Sequence, residues 1–113
     1  MHMRVVSMKI KSEMLDGFKS NSGVGLEKLL GEPGVVSTAL LQQTISPSHF
    51  LFIEAYGSLE AYNEHLKSAC YLEWQKELAQ LLDGEAESVE YAPVYPPEAA
   101  WVQEPIQSLD KEA

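Results

Sequence analysis

The stretch from Phe50 to Leu72 constrains the fold most, because its hydrophobic period changes once, at a single dipeptide. From Phe50 to Tyr56 the side chains alternate, with Phe50, Phe52, Glu54 and Tyr56 on one face. That is the period of a strand. A carboxylate beside three aromatics is unusual on such a face; it is expected near a sheet edge, exposed or paired. Gly57-Ser58 ends the strand. Ser58 is a candidate N-cap, and Glu60 falls in the first turn, where the helix dipole favours a carboxylate. The spacing then predicts one long helix, from about Leu59 to Leu82. At about 100° per residue, Leu59, Ala61, Tyr62, His65, Leu66, Ala69, Cys70 and Leu72 share one arc. Glu60, Asn63, Glu64, Lys67, Ser68, Tyr71 and Gln75 lie opposite. From Trp74 the stripe moves to Trp74, Leu78 and Leu81, which predicts a bend or a new packing partner, such as another subunit.

The same two periods recur along the chain. Arg4 to Lys11 reads as a strand, with Val6, Met8 and Ile10 on its apolar face. A helical stretch opens at Ser12-Glu13-Met14 and carries Met14, Leu15, Phe18, Leu26, Leu29 and Leu30. Gly23 and Gly25 are expected to break or bend it, since glycine costs entropy inside a helix. Gly31-Glu32-Pro33-Gly34 is a stop and a turn. Val35 to Gln43 is a second strand, fairly apolar on both faces. Ser46-Pro47-Ser48 turns the chain into the strand at Phe50. Ser88 to Tyr95 is a fourth strand, its latter half at an edge or bulge because of Pro93.

The order β-α-β-β-α-β predicts an α+β, ferredoxin-like fold, an antiparallel sheet with helices on one face. The 113 residues make one domain, taken as 1–96, followed by a tail over 97–113. Too little chain remains to cover the other sheet face. A second copy, sheet against sheet, is the economical solution. Trp101 in an otherwise polar tail is expected to dock on that partner subunit.

Composition narrows the function. With 8 basic against 17 acidic residues the net charge is −9, which argues against nucleic acid and anionic membrane surfaces as partners. No apolar run approaches a membrane span, and no leader is visible. The single cysteine, Cys70, has no internal partner, so an intracellular, cytoplasmic chain is expected. His49, His65 and Cys70 lack metal-ligand spacing. Gly23-Val24-Gly25 is not a phosphate loop.

Phe52-Ile53-Glu54-Ala55-Tyr56-Gly57-Ser58-Leu59-Glu60-Ala61-Tyr62-Asn63-Glu64-His65-Leu66-Lys67-Ser68 resembles the core of the antibiotic biosynthesis monooxygenase (ABM) domain. That core has a Glu, an aromatic two residues on, Ser, Glu-Ala, then a His and a Ser or Thr. Pro33-Gly34 entering a strand, and the element order from about Arg4 to Val94, are similar too. The resemblance implies a homodimeric α+β barrel of two ferredoxin-like subunits. It also implies cofactor-independent oxidation of a small quinol or aromatic polyketide by molecular oxygen, with no metal, flavin or haem. The chain departs from the pattern in lacking a second helical His, and in having Tyr56 where Trp is commoner. It has no first-strand Asn, which disfavours the haem-degrading branch.

Such oxidation needs a base near neutrality, because a phenolate passes an electron to oxygen more readily than a phenol. It also needs an apolar pocket. His65 has the right chemistry and lies on the inward arc. Tyr56 and Glu54 share a strand face and complete the candidate catalytic group. Phe50, Phe52, Tyr62, Leu66 and Ala69 are the candidate pocket lining. A structural role for His65, bonded to Glu54 or to a backbone carbonyl, is the competing reading of that residue. A non-catalytic ligand-binding or stress-related domain is the competing reading of the whole. Catalysis predicts a cavity reached by His65. The alternative predicts one filled by Phe50, Phe52 and Tyr62. Cys70, on the buried arc, is expected to be an inert small hydrophobe.

Overall fold

A computed structural model describes residues 1–101. Its elements are β1 (His2–Lys9), a 3-10 turn (Ser12–Met14), α1 (Leu15–Leu30), β2 (Val35–Gln42), β3 (His49–Tyr56), α2 (Leu59–Leu66), α3 (Ala69–Leu81), β4 (Glu87–Tyr91) and a second 3-10 turn (Glu98–Trp101). The four strands form one antiparallel sheet in the order β2-β3-β1-β4. This is the ferredoxin-like arrangement, with both split βαβ crossovers on one face.

Alternation decides which residues reach the helices. Val6 and Met8 of β1, with Phe50 and Phe52 of β3, bury against Phe18 and Leu29 of α1 and Leu78 of α3. The Phe18 and Phe50 rings meet edge to face at 4.9 Å, a geometry favoured by the ring quadrupoles. The helix-free face carries Val5, Ala39, Leu51 and Ile53 by register. It also carries Leu41, Val89 and Tyr91, which stay exposed.

Three expectations are corrected. The first helix is unbroken from Leu15 to Leu30. Gly23 and Gly25 have open space where a side chain would stand and do not break the helix, and Leu26 and Leu29 anchor it to the core. The long second helix is two helices. Ser68 interrupts it: its Oγ donates to the His65 carbonyl (2.7 Å) and accepts from the Tyr71 amide (3.1 Å), which makes Ser68 the N-cap of α3. The interruption resets the helical phase. Tyr71, Trp74 and Leu78 now turn inward, and Leu72 turns to solvent. The change of stripe seen from Trp74 is this reset, and Trp74 packs on the Phe18 and Phe52 rings of its own chain. Third, β4 stops at Tyr91, short of Pro93, and lies at the sheet edge.

Of the tail, the described part folds back on its own chain. The Trp101 indole donates to the Pro96 carbonyl (3.0 Å), and Glu98 takes the N-terminal ammonium. The rest of the tail, residues 102–113, lies outside the described residues.

Candidate active site

Glu54 is the centre of the site. It lies on β3, an interior strand, and is 1 % exposed. The edge expected for it is therefore absent, and burial of a carboxylate demands partners. Cross-strand register supplies the first. Arg4 on β1 stands directly opposite Glu54, is 5 % exposed, and its Nε donates to Glu54 Oε1 at 2.5 Å. Tyr56 donates its hydroxyl to Glu54 Oε2 at 3.0 Å. Arg4 sits against the Tyr62 and Tyr71 rings, 5.8 and 5.2 Å from their centroids, and its Nη1 donates to the Tyr71 hydroxyl at 3.3 Å. Burial lowers the guanidinium's affinity for its proton, but Glu54 and the bonds to Glu54 and Tyr71 outweigh that and raise it. Arg4 is a permanent cation.

His65, 6 % exposed at the end of α2, stands on the far side of Glu54. Its Nε2 is 3.7 Å from Glu54 Oε2, beyond hydrogen-bond reach. Its Nδ1 is 2.5 Å from Glu32 Oε2. A carboxylate only accepts, so Nδ1 carries the hydrogen, and in the neutral ring the free electron pair lies on Nε2. The ring packs against Tyr56 and Tyr71, with centroids 5.5 and 5.2 Å away.

Glu32 reaches His65 because of the turn between α1 and β2. Gly34 has φ +83° there, and a Cβ on it would lie 2.4 Å from the Ala61 Cβ. Only glycine allows both the left-handed backbone and so close an approach to α2. The Gly34 carbonyl accepts from the Gly57 amide at 2.8 Å, which ties this turn to the end of β3.

A cavity of about 90 Å³ opens beside these groups, between α1, α3 and the sheet. Phe18, Leu26, Leu29, Leu40, Phe52 and Trp74 give it an apolar wall; Glu54, His65, Cys70 and Tyr71 also line it. Of the expected site residues, His65, Glu54 and Phe52 therefore meet at one cavity. Tyr56 is wholly buried beneath Glu54. Desolvation, and then Glu54, push its phenol far above the usual range, so it acts as a donor to Glu54. Phe50 lies in the core against Phe18, and Tyr62 packs on Tyr56 and His2. Leu66 and Ala69 flank the helix break outside the cavity lining. Cys70, free and half-buried, is at the wall; burial and then Glu32 push its thiol up.

Glu32, Arg4 and Tyr71 were not singled out from the sequence. Arg4 had a signal, since it shares the parity of Val6 and Met8 and so faces the core as a charge. Tyr71 was assigned to the solvent side by a helix phase that Ser68 resets. Nothing local links Glu32 to His65, 33 residues away. Among the described residues, no group of three or more His, Cys, Asp or Glu is placed to hold a metal ion.

Comparison with known proteins agrees with this architecture. A candidate antibiotic biosynthesis monooxygenase from Nitrosomonas europaea is 26 % identical; the alignment covers 84 % of this chain and 100 % of that one, with a TM-score of 0.76. A conserved protein from Methanosarcina mazei is 24 % identical over 80 % of this chain and 90 % of that one (TM-score 0.72). SnoaB, a cofactor-independent oxygenase from Streptomyces nogalater, shares the fold at 16 % identity, over 85 % of this chain and 97 % of that one (TM-score 0.75). No curated protein matches the sequence. The Antibiotic biosynthesis monooxygenase family profile matches residues 1–77, and with the motif at Glu54–Ser68 folded as described, the chain belongs to that family.

Proposed function

We propose that the protein is a cofactor-independent monooxygenase that oxidises a small quinol or aromatic polyketide-like phenol with molecular oxygen. The observation that carries this is His65: it lines an apolar cavity with Nδ1 anchored on Glu32 and Nε2 free of any hydrogen bond. A phenol in the cavity gives its proton to Nε2. Glu32 fixes the tautomer and stabilises the imidazolium that forms. The phenolate then passes an electron to oxygen among apolar walls that keep water from the intermediates. Glu54, paired with Arg4 and bonded by the Tyr56 hydroxyl, forms part of the cavity wall beside His65. The competing, non-catalytic reading expects Phe50, Phe52 and Tyr62 to fill the space; of these only Phe52 lines it.

The functional unit in this proposal is a homodimer. The helix-free sheet face, with Leu41, Val89 and Tyr91 exposed, is covered by a second copy. No helix among the described residues is long and apolar enough to cross a membrane, and the free Cys70 suits a cytoplasmic chain.

The test is oxygen uptake with reduced quinones and anthrone-like phenols, using the wild type and His65→Ala. The expected result is uptake above autoxidation that falls by about 10²-fold or more in the variant, the scale of a general base. Uptake undiminished in the variant rejects His65 as the base. No uptake with either substrate class overturns the monooxygenase reading.

A further inference from the structure

A second cavity, of about 180 Å³, opens on the other side of Arg4, between β1, α3 and the edge strand β4. Arg4, Tyr71, Gln75 and Ser88 are its polar lining; Leu78 and Leu82 are part of its apolar wall. The site just described does not use this space.

Its chemistry follows from Arg4. A guanidinium presents five N–H donors in a rigid fork. Nε is taken by Glu54 and Nη1 bonds Tyr71, and the Arg4 side chain also forms part of this cavity's wall. A guanidinium in a cavity wall attracts an anionic acceptor that enters it. The lining holds no carboxylate, in a chain of net charge −9. Of the acidic residues around Arg4, Glu54 is already bonded to it, and Glu90, its register partner on β4, is engaged by His2 at 2.6 Å. The Gln75 amide and Ser88 hydroxyl add neutral donors, and the leucines suit a hydrocarbon body.

We propose that this second cavity is a carboxylate-binding subsite, in which Arg4, Gln75 and Ser88 hold the acid group of a small apolar monocarboxylate. The proposal stands apart from the monooxygenase reading, because binding is measurable without turnover.

The probe is benzoate, with benzamide as its uncharged counterpart, titrated into the isotopically labelled full chain and followed by amide NMR. Benzoate should give saturable shifts centred on Gln75 and Ser88, and benzamide none. Replacing Arg4 outright leaves Glu54 buried without its cation, so the decisive variant is Ser88→Asp. It sits on the exposed edge strand, leaves the Arg4–Glu54 pair intact, and brings a like charge to the bound acid. Its affinity for benzoate should fall about tenfold, or 1.4 kcal/mol. No saturable shift with benzoate, equal binding of benzamide, or unchanged affinity in Ser88→Asp overturns the proposal. The source of the carboxylate is read separately. If it belongs to the oxidised substrate, quinol acids show lower KM than their amides, and Ser88→Asp removes the difference. If it is a free metabolite, benzoate binds while the two quinols have equal KM.

Discussion

Replacing Gly34 by alanine tests how the turn before β2 positions Glu32. Two costs arise. The backbone is at φ +83°, and a left-handed L-residue loses about 1–2 kcal/mol. The new Cβ would lie 2.4 Å from the Ala61 Cβ, and relieving such overpacking costs about 1–3 kcal/mol. Together they remove about 2–5 kcal/mol from a stability of order 5–15 kcal/mol. A double-mutant cycle separates the two. Ala61→Gly deletes the opposing methyl; alone it costs about 0.5–1 kcal/mol as a glycine in a helix. In the double variant the contact is gone, since the next atom, the Ala61 Cα, is at an ordinary 3.7 Å. The cycle should therefore show a favourable coupling of about 1–3 kcal/mol, leaving the backbone term unrelieved. The assay is equilibrium urea unfolding of the four proteins, with equal m-values required. Additivity within about 0.5 kcal/mol, or a Gly34→Ala cost below about 1 kcal/mol, would refute the reasoning.

Three further outcomes are expected. Glu32→Ala leaves His65 without its Nδ1 acceptor, so kcat for oxygen uptake should fall at least about tenfold, as when an orienting carboxylate is lost, while circular dichroism stays native. Phe18→Ala removes the ring shared by Phe50 and Trp74 and should destabilise by about 3–5 kcal/mol in urea unfolding. Cys70 should alkylate more slowly than a free thiol at neutral pH. Burial, and Glu32 beside it, raise its pKa, so less thiolate is present, and the rate should climb steeply only above the ordinary thiol range. Alkylation at the rate of a small free thiol would count against the buried placement.

What the sequence determined by itself is the order of the elements and the inward side of most of them. Both follow from short-range regularities: alternation over Phe50–Tyr56, the Ser58 cap, and the arc that turns His65 inward. These are properties of neighbours within a turn or a strand, and they hold whatever the rest of the chain does. The central pairing was half legible. Glu54 was placed among Phe50, Phe52 and Tyr56, and Arg4 shares the parity of Val6 and Met8 without having been singled out; that the two charges meet depended on strand register. Tertiary structure alone decided the remainder. The bond from His65 to Glu32 exists because Gly34 lets the turn close on Ala61, a contact between segments distant in sequence. The inward turn of Tyr71 exists because Ser68 chose to cap a new helix over continuing the old one, and a serine on the polar side of a helix reads the same in sequence either way. The two cavities flanking Arg4 and Glu54 are spaces between packed elements, and no residue pattern specifies the volume that packing leaves empty.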